Sequence, residues 1–514
     1  MNPVGNPPQR GGAWNGIANY ARFLLTMVVQ FALTPFIIER IGQADFGLWT
    51  LTFSVVGFLG LLDGGLTTGS VKFVAECRGS GDVARRNRII SALAAAYLVM
   101  AAVAVAVVFG LSFVYGRLFG IPAEQTAKAV AVLWLIATRS VILALPLGLF
   151  YGILFGERRL SVVYVVQSLS AVLYGIAVGI GLKAEGSVVL LAWLNLGAML
   201  FEYGAYVLLA FRLVPDLRIA PHRADAATLK EVAAFSGSQL LVNVAALVRL
   251  RTDPILVQVL LSTSSVALYG IALRISESVF LLLKQGINVL APTFAERHGA
   301  SDTENVRAVF LRSSRSVLAF AVVLCVPLCL MAREIVSLWV GPTFAPASPV
   351  LIVLLAAMAL AVPAQVAGLV LAMTGQHAFS ARAQVVGMVL NLGASIVLAP
   401  LVGLTGVALG TLTATVAVDL GWVLPVALRA QGLSLGRYAA RVVTPSLVAG
   451  AVQAAITVGL RTAYPPESLP MIAVLAVPGA MAFGVTFIAL LPSDERTGLT
   501  HGMARRLRKP SSTD

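Results

Sequence analysis

Residues 89–115 read "IISALAAAYLVMAAVAVAVVFGLSFVY", and none of these side chains is charged. A helix needs about 20 mostly apolar residues to cross the hydrocarbon core of a bilayer, so this segment predicts a transmembrane helix. Comparable runs follow one another along the 514 residues, of which 58% are hydrophobic and 12% are charged. Soluble domains carry roughly 25% charged residues. The sequence therefore predicts an all-α integral membrane protein.

The apolar runs predict about fourteen transmembrane helices, which are called spans 1 to 14 in chain order. Their predicted ranges are 13–38, 47–75, 89–115, 127–153, 160–182, 187–211, 231–258, 264–291, 308–331, 349–373, 381–401, 404–427, 441–461 and 469–491.

The charges of the loops predict the orientation, because Lys and Arg are retained on the cytoplasmic side. Basic segments such as "CRGSGDVARRNR" (77–88) and "RLVPDLRIAPHRADAATLK" (212–230) alternate with segments poor in Lys and Arg, such as "KAEGS" (183–187) and "LSTSS" (261–265). Arg40, Arg85 and Arg86 are interpreted as loop residues that orient the chain. Both termini are predicted to be cytoplasmic, and termini on the same side require an even number of spans. The protein is expected in the inner membrane of a bacterium. Residues 1–16 lack the basic segment, short apolar core and cleavage site of a removable signal peptide, so the first apolar helix is expected to remain as a span.

Weak internal similarity at an offset near 220 residues predicts two lobes. "RGSGD" at 78–82 matches "HGASD" at 298–302, and "FVAE" at 73–76 matches "FAE" at 294–296. We expect a cytoplasmic segment (1–12), an N-lobe of six helices (13–211), a cytoplasmic linker (212–229), a C-lobe of six helices (230–428), two further helices (429–492) and a basic cytoplasmic tail (493–514). Because each half has an even number of helices, both halves enter the membrane from the same side and form parallel repeats. Such repeats are typical of transporters, and a duplicated scaffold without transport is the alternative.

Two segments resemble a known family. "ERIGQADFGLWTL" (39–51) and "LGLLDGGLTTGSVKFVAECRGSGD" (59–82) are similar to the opening of bacterial polysaccharide-biosynthesis, or lipid-linked oligosaccharide, flippases of the multidrug/oligosaccharidyl-lipid/polysaccharide (MOP) superfamily. The matching positions are Gly42, Phe46, Gly47, Trp49, Asp63 and Gly65, while Gly64 replaces the usual Leu. The resemblance implies a flippase that moves a polyprenyl-pyrophosphate-linked oligosaccharide to the outer leaflet for cell-surface polysaccharide, including lipopolysaccharide, biosynthesis.

Polar residues inside the spans predict where a substrate binds, because such residues are costly in a membrane and normally face a bundle interior or a cavity. In span 1 the series Asn15, Asn19, Arg22, Thr26, Gln30 and Thr34 falls on one helical face, either as a cavity wall or as polar glue between helices. The predicted substrate-binding residues are Asn19, Arg22, Gln30, Asn243, Arg249, Arg251, Arg274 and Lys284. Cations outnumber carboxylates in spans 7 and 8, which suits an anionic head group, whereas internal salt bridging is the alternative.

Four carboxyl side chains are candidates for ion coupling, because desolvation allows a buried carboxylate to exchange protons. They are Asp63, Glu202, Asp253 and Glu277. Asp63 precedes "GGLTTGS", where the glycines predict a break in span 2, so capping of the next helix is an equal alternative. Pro254 predicts a kink beside Asp253. Arg139 and Asp419 are further polar residues within spans.

Several chemistries are excluded by what the sequence lacks. No phosphate-binding loop with its Lys is present, and the four His fall in loops or the tail without metal-ligand spacing. We therefore expect no enzyme activity, no catalytic residue, no cofactor, no metal and no nucleic acid partner. The expected partners are the polyprenyl-pyrophosphate-linked oligosaccharide, membrane lipids, and polymerases or glycosyltransferases of polysaccharide assembly. The alternatives are a multidrug extruder of cations and a membrane component of polysaccharide assembly that transports nothing.

Overall fold

The computed structural model describes residues 11–223, 225–288, 290, 294, 303–374, 376–492 and 495–496. Side chains are described in these ranges except at 11–17, 223, 234–246, 248–250, 288, 303 and 377–378. The described residues are almost entirely helical and contain no β-strand. The prediction of an all-α fold is confirmed.

The chain divides into two compact units, 1–267 and 268–514. The first unit contains α1 (Gly11–Leu59), α2 (Leu66–Ser80), α3 (Val83–Leu118), α4 (Ala123–Ala137), α5 (Ala144–Gly156), α6 (Leu160–Ala184), α7 (Val188–Leu213) and α8 (Ala226–Leu260). The boundary falls in α9 (Thr263–Asn288). The second unit continues with α10 (Thr303–Leu330), α11 (Ala332–Val340), α12 (Ser348–Met373), α13 (His377–Val402), α14 (Leu404–Ala414), α15 (Leu424–Ala430), α16 (Leu435–Tyr438), α17 (Thr444–Ala463) and α18 (Leu469–Ala489).

Twelve helical segments of the described chain are long and apolar enough to cross a membrane. The first, Ala18–Ser80, is 63 residues long and contains predicted spans 1 and 2. The other eleven coincide with spans 3 to 6 and 8 to 14, and span 7 corresponds to the 35-residue helix α8. In the first unit α8 packs against α1, α2 and α3. The division into lobes at 211 and 230 stays a prediction.

Glycines supply the backbone conformations that break the first long helical segment. Gly42, with φ 83° and ψ 166°, interrupts α1 between spans 1 and 2. A short 3₁₀ turn, Gly60–Asp63, is followed by Gly64 and Gly65 with φ of 54° and 85°. Residues with a Cβ adopt such positive φ values at a cost, so glycine is favoured here. The predicted break in span 2 is present.

Other glycines allow helices to pack closely. Close packing matters in a membrane, because the hydrophobic effect does not drive helices together in lipid. A Cβ added at Gly152 of α5 would lie 1.8 Å from Oγ of Ser70, and one at Gly156 would lie 2.8 Å from Val74 of α2. The same device recurs in the second unit, where a Cβ at Gly406 of α14 would lie 2.2 Å from the carbonyl oxygen of Leu398 in α13. These helix pairs therefore depend on small residues.

The segment between α7 and α8 is held against the start of α3. Arg86 is 7% exposed and donates from Nη1 to Oε1 of Glu157 at 3.1 Å and from Nη2 to the carbonyl oxygen of Pro215 at 2.7 Å. Asn87 donates to the carbonyl oxygen of Asp216 at 2.7 Å. The expectation that Arg40, Arg85 and Arg86 are loop residues is corrected. Arg40 lies in α1, two residues before the break at Gly42, while Arg85 and Arg86 lie in the first turn of α3 and Arg86 is buried among acceptors.

The helix α11, in a segment predicted as a loop, is a nine-residue amphipathic helix. Ala332, Val336 and Trp339 are buried, while Arg333 and Leu338 are exposed. Spacings of four and three residues place the buried side chains on one face.

Candidate functional site

Arg22 lies inside the first unit where α1 meets α6. Its Nη1 donates to Oε1 of Gln167 at 2.9 Å, and its Nη2 donates to Oδ1 of Asn19 at 2.9 Å. The guanidinium carbon lies 5.5 Å from the centroid of the Tyr164 ring, within the range of a cation–π contact. Its Nε is buried and has no hydrogen-bond partner among the described residues. These contacts are all with neutral groups, and no carboxylate in the described part of the chain forms an ion pair with Arg22.

The polar cluster continues from Gln167 to α7. The hydroxyl of Tyr206 interacts with Gln167 and donates to Oε1 of Glu202 at 3.0 Å. The Tyr206 ring centroid lies 6.0 Å from that of Tyr151. Tyr151 is close enough to both Arg22 and Glu202 for electrostatic interaction. The cation of α1 and the carboxylate of α7 are thus linked through neutral groups. We call Asn19, Arg22, Gln167, Tyr206 and Glu202 the Arg22 relay.

A second half-buried cation lies in a π-helical turn, Thr138–Ile142, between α4 and α5. The guanidinium carbon of Arg139 lies 5.9 Å from the Phe53 ring centroid, and Nη1 is 3.5 Å from Oγ of Ser140. Its Nε is buried without a hydrogen-bond partner among the described residues. Tyr203 is within electrostatic range of both Arg139 and Asp63. Single π-helical turns inside helices are frequent at functional sites.

Asp63 caps the helix that follows it. Its Oδ1 accepts from the Thr67 hydroxyl at 2.6 Å and from the Thr67 backbone N–H at 3.3 Å, and its Oδ2 accepts from the Gly65 N–H at 3.2 Å. The Thr67 hydroxyl also contacts the Tyr97 hydroxyl at 3.1 Å. The Asp63 carboxylate thus accepts from backbone N–H groups that have no acceptor within the helix at the start of α2. The geometry supports the capping interpretation, and ion coupling by Asp63 stays a prediction.

The charges of span 7 lie near the end of α8. Asp253 is 5% exposed, and the helix continues through the buried Pro254. Arg251 packs its stem on α1, since a Cβ added at Gly57 would lie 3.2 Å from its Cδ. The side chains of Asn243 and Arg249 lie outside the described residues. Arg249 and Asp253 are four residues apart and can form an ion pair on one face of α8, but this pairing is therefore untested.

The other predicted residues are distributed more widely. In α9, Arg274 and Glu277 are half-buried, whereas Lys284 is exposed with its Nζ 5.8 Å from the Phe280 ring centroid. Gln30 of α1 is exposed. The structure brings Asn19, Arg22 and Glu202 into one cluster, and sequence reasoning missed the residues that connect them. No group of three His, Cys, Asp or Glu in the described chain could hold a metal ion.

Residues 9–298 match the model of the family described as polysaccharide biosynthesis protein, which is more than half of the chain. The chain belongs to this family. Among curated proteins it is similar to the uncharacterized membrane protein EpsK of Bacillus subtilis (strain 168), with 23% identity over 346 residues that cover 66% of this chain and 67% of EpsK. The family suggested by residues 39–82 is confirmed.

Solved structures show the same fold. The lipid II flippase MurJ in an inward closed conformation matches with a TM-score of 0.70 and 13% identity, over 93% of this chain and 99% of MurJ. An inward-facing multidrug resistance MATE family transporter of the MOP superfamily matches with a TM-score of 0.65 and 15% identity, over 80% of this chain and 94% of that chain. This polysaccharide biosynthesis family member is therefore a multi-pass membrane protein with the fold of MOP-type flippases and transporters.

The family motif now has a physical explanation in this member. Gly42 breaks α1, and Phe46 and Trp49 are 1% and 6% exposed. Gly47 allows close contact, because a Cβ there would lie 2.2 Å from the carbonyl oxygen of Thr263. Asp63 caps α2. The motif residues thus shape and pack the first unit, and none of them is a member of the Arg22 relay.

Proposed function

We propose that the protein is a flippase that moves a polyprenyl-pyrophosphate-linked oligosaccharide from the cytoplasmic to the outer leaflet of a bacterial inner membrane by alternating access. The glycan would serve cell-surface polysaccharide synthesis, lipopolysaccharide included, and both termini would be cytoplasmic. Membership of the polysaccharide biosynthesis family and a fold like that of the lipid II flippase MurJ support this proposal. Polymerases and glycosyltransferases of the same assembly route are its proposed partners.

The observation that carries the proposal is the uncompensated charge of Arg22. An Arg at mid-membrane costs about 2.5–3.5 kcal/mol on insertion scales, and a carboxylate would be the usual partner. Here the described partners are two amide oxygens and a phenol ring, and Nε remains open. The planar guanidinium can bind phosphate oxygens bidentately. A cation kept in this state suits an anionic pyrophosphate group better than a cationic drug.

Coupling to an ion gradient is proposed for the carboxyl groups. Glu202 is half-buried and accepts a hydrogen bond from the neutral Tyr206 hydroxyl, so a proton on Glu202 would change the relay that reaches Arg22. Asp63, Asp253 and Glu277 remain the other candidates. If each single amide variant of the four residues retains full dependence of transport on the membrane gradient, this coupling proposal fails.

The test of the main proposal is a flipping assay in proteoliposomes with a fluorescent polyprenyl-pyrophosphate oligosaccharide. Arg22→Ala should lose roughly tenfold or more of the transport rate, because a charge-assisted hydrogen bond contributes about 1.5–3 kcal/mol. Arg22→Lys keeps the charge and should retain partial activity. Arg40→Ala is the matched control, since Arg40 is an exposed Arg of the same helix. Unimpaired transport by Arg22→Ala would remove the basis of the proposal.

Arg249 is tested separately, because its side chain lies outside the described residues. Arg249→Ala should be inserted and folded but inactive if Arg249 binds the pyrophosphate. Recovery of transport in the double variant Arg249→Ala with Asp253→Ala would show instead that Arg249 only neutralises Asp253.

A multidrug extruder is the second candidate, favoured by the fold shared with a MATE transporter and by the half-buried Glu202. The same proteoliposomes distinguish the two functions. Gradient-driven uptake of an organic cation without movement of the lipid-linked oligosaccharide would favour extrusion. Movement of neither substrate would favour a component of assembly that transports nothing.

A further inference from the structure

A cavity of about 630 Å³ lies in the second unit, where α10 ends and α12 begins. Its wall includes Cys329, Arg333, Ala345, Ser348, Ile352 and Arg461. Three segments that could cross a membrane, Glu304–Leu330, Pro342–Met373 and Leu435–Ala463, have an end at or near this cavity. If these segments cross the membrane, their ends place the cavity at the level where a bilayer changes from hydrocarbon to lipid head groups.

An exposed tyrosine beside the cavity agrees with this level. Tyr464 follows directly after α17 and is 60% exposed, and Tyr is enriched at membrane–water interfaces. The helix α11, in contrast, packs its apolar face, with Ala332, Val336 and Trp339, against the protein.

The two arginines of the cavity are held differently. Arg461 donates from Nε to Oε1 of Glu334 at 2.8 Å and from Nη1 to the carbonyl oxygen of Leu330 at 2.6 Å. Its charge is therefore balanced by a carboxylate. Arg333 is exposed and has no hydrogen bond or ion pair with any described residue. With Glu334 included, the cavity and its immediate partners carry one net positive charge.

We propose that this cavity binds the head group of an anionic phospholipid of the surrounding bilayer. Arg333 contacts the phosphate, Arg461 adds a second, already oriented guanidinium, and Ile352 and Cys329 pack against the glycerol and the first methylenes of the acyl chains. The two arginines and the apolar side chains thus follow the same order as the phosphate, the glycerol and the acyl chains of a phospholipid. The site is separate from the Arg22 relay, which lies in the other unit, and it does not depend on the proposed transport substrate.

The test uses native mass spectrometry of the purified full-length protein in detergent, titrated with phosphatidylglycerol or phosphatidylcholine. The protein should bind phosphatidylglycerol about tenfold more tightly than phosphatidylcholine. Arg333→Gln should remove this preference, and the tenfold loss corresponds to about 1.4 kcal/mol. Ala345→Phe, which fills the cavity without changing a charge, should weaken binding of phosphatidylglycerol as well.

Arg312→Gln is the matched control, because Arg312 is an exposed Arg near the opposite end of α10. This variant should keep the preference for phosphatidylglycerol. Because Arg333 is exposed and unpaired within the described chain, its substitution should leave thermal unfolding in lipid-free detergent unchanged. Equal affinity for the two lipids, or the same loss in both Gln variants, would overturn the proposal. Competition by inorganic phosphate at concentrations equal to the lipid would show that the ion alone is recognised and would overturn the assignment to a lipid.

Discussion

Gly47 provides the sharpest test of how the first unit is packed. A Cβ added at this position would lie 2.2 Å from the carbonyl oxygen of Thr263, 3.1 Å from its carbonyl carbon and 3.2 Å from its Cγ2. Two of these atoms belong to the backbone and cannot rotate away. Gly47→Ala therefore requires α1 and the first turn of α9, which begins at Thr263, to move apart. Overpacking of this kind costs about 1–3 kcal/mol.

A cost of that size reduces the population of the packed arrangement by about 5-fold to 150-fold relative to an arrangement in which the contact is open. The contact can be followed at a neighbouring pair, because Gln43 donates from Nε2 to the carbonyl oxygen of Ser264 at 3.3 Å. Cysteines at these two positions, in a version without the three native cysteines, should be joined by a short thiol cross-linker. Adding Gly47→Ala should lower the cross-linking yield, and it should also slow transport if the packed arrangement belongs to the transport cycle.

Gly60→Ala is the control, since a Cβ at Gly60 meets no atom within 4 Å. It should leave cross-linking and transport unchanged. The additional variant Thr263→Ala should not rescue Gly47→Ala, because it removes Cγ2 and leaves the carbonyl oxygen in place. Unchanged cross-linking in Gly47→Ala, at normal expression, would refute the close approach described for this glycine.

Three further predictions concern other contacts of the first unit. Gly152→Ala should destabilise the detergent-solubilised protein by about 1–3 kcal/mol in thermal unfolding, and Ser70→Gly should restore part of the loss, because the added Cβ would meet Oγ of Ser70. Asp225 accepts from the backbone N–H and hydroxyl of Thr228 at the start of α8, and these bonds hold the pKa of its carboxyl below the ordinary value. The stabilisation by this cap is therefore fully present above the unfolded-state pKa of Asp225 and is lost as the pH falls through the lower folded-state pKa. Over that pH range, hydrogen exchange of the first turn of α8 should accelerate in the wild type. Asp225→Asn should show no such step. Arg86→Gln should cost about 3–5 kcal/mol and increase proteolysis of residues 214–220, whereas uncleaved protein would show that the buried arginine does not hold this segment.

The helices long and apolar enough to cross a membrane could be predicted, because they depend on local composition. A run such as 89–115 has no alternative to burial in lipid or protein, and its helix, α3, is present but extends beyond the predicted span at both ends, from Val83 to Leu118. The helix α11 was missed for the same reason. Its nine residues are too few for a span. Its amphipathic pattern is followed directly by Gly341 and Pro342, which favoured a loop.

The partners of the buried charges could not be predicted, because they depend on contacts distant in sequence. Arg86 was expected in a loop, yet its two acceptors lie 71 and 129 residues further along the chain. Arg22 was identified from the polar face of span 1, but Gln167 lies 145 residues away in an apolar helix. A weak signal for the relay was present in "EYGAY" at 202–206, where Glu202 and Tyr206 fall on one face of a span.

The neutral surroundings of Arg22 matter for the proposed transport cycle. If a buried carboxylate held this guanidinium, a phosphate group could bind only after the ion pair opened, and breaking a buried pair costs about 3–5 kcal/mol. Hydrogen bonds from the charged guanidinium to neutral amide oxygens contribute about 1.5–3 kcal/mol each, and a phosphate group replaces them with charge-assisted bonds of at least that strength, so no ion pair has to be broken first. Glu202 stands two neutral groups away, at the far end of the relay. Because of this spacing, a change of charge on Glu202 can alter how firmly Gln167 holds Arg22 without locking the cation in a salt bridge. The proposed coupling between an ion and an anionic lipid requires both properties.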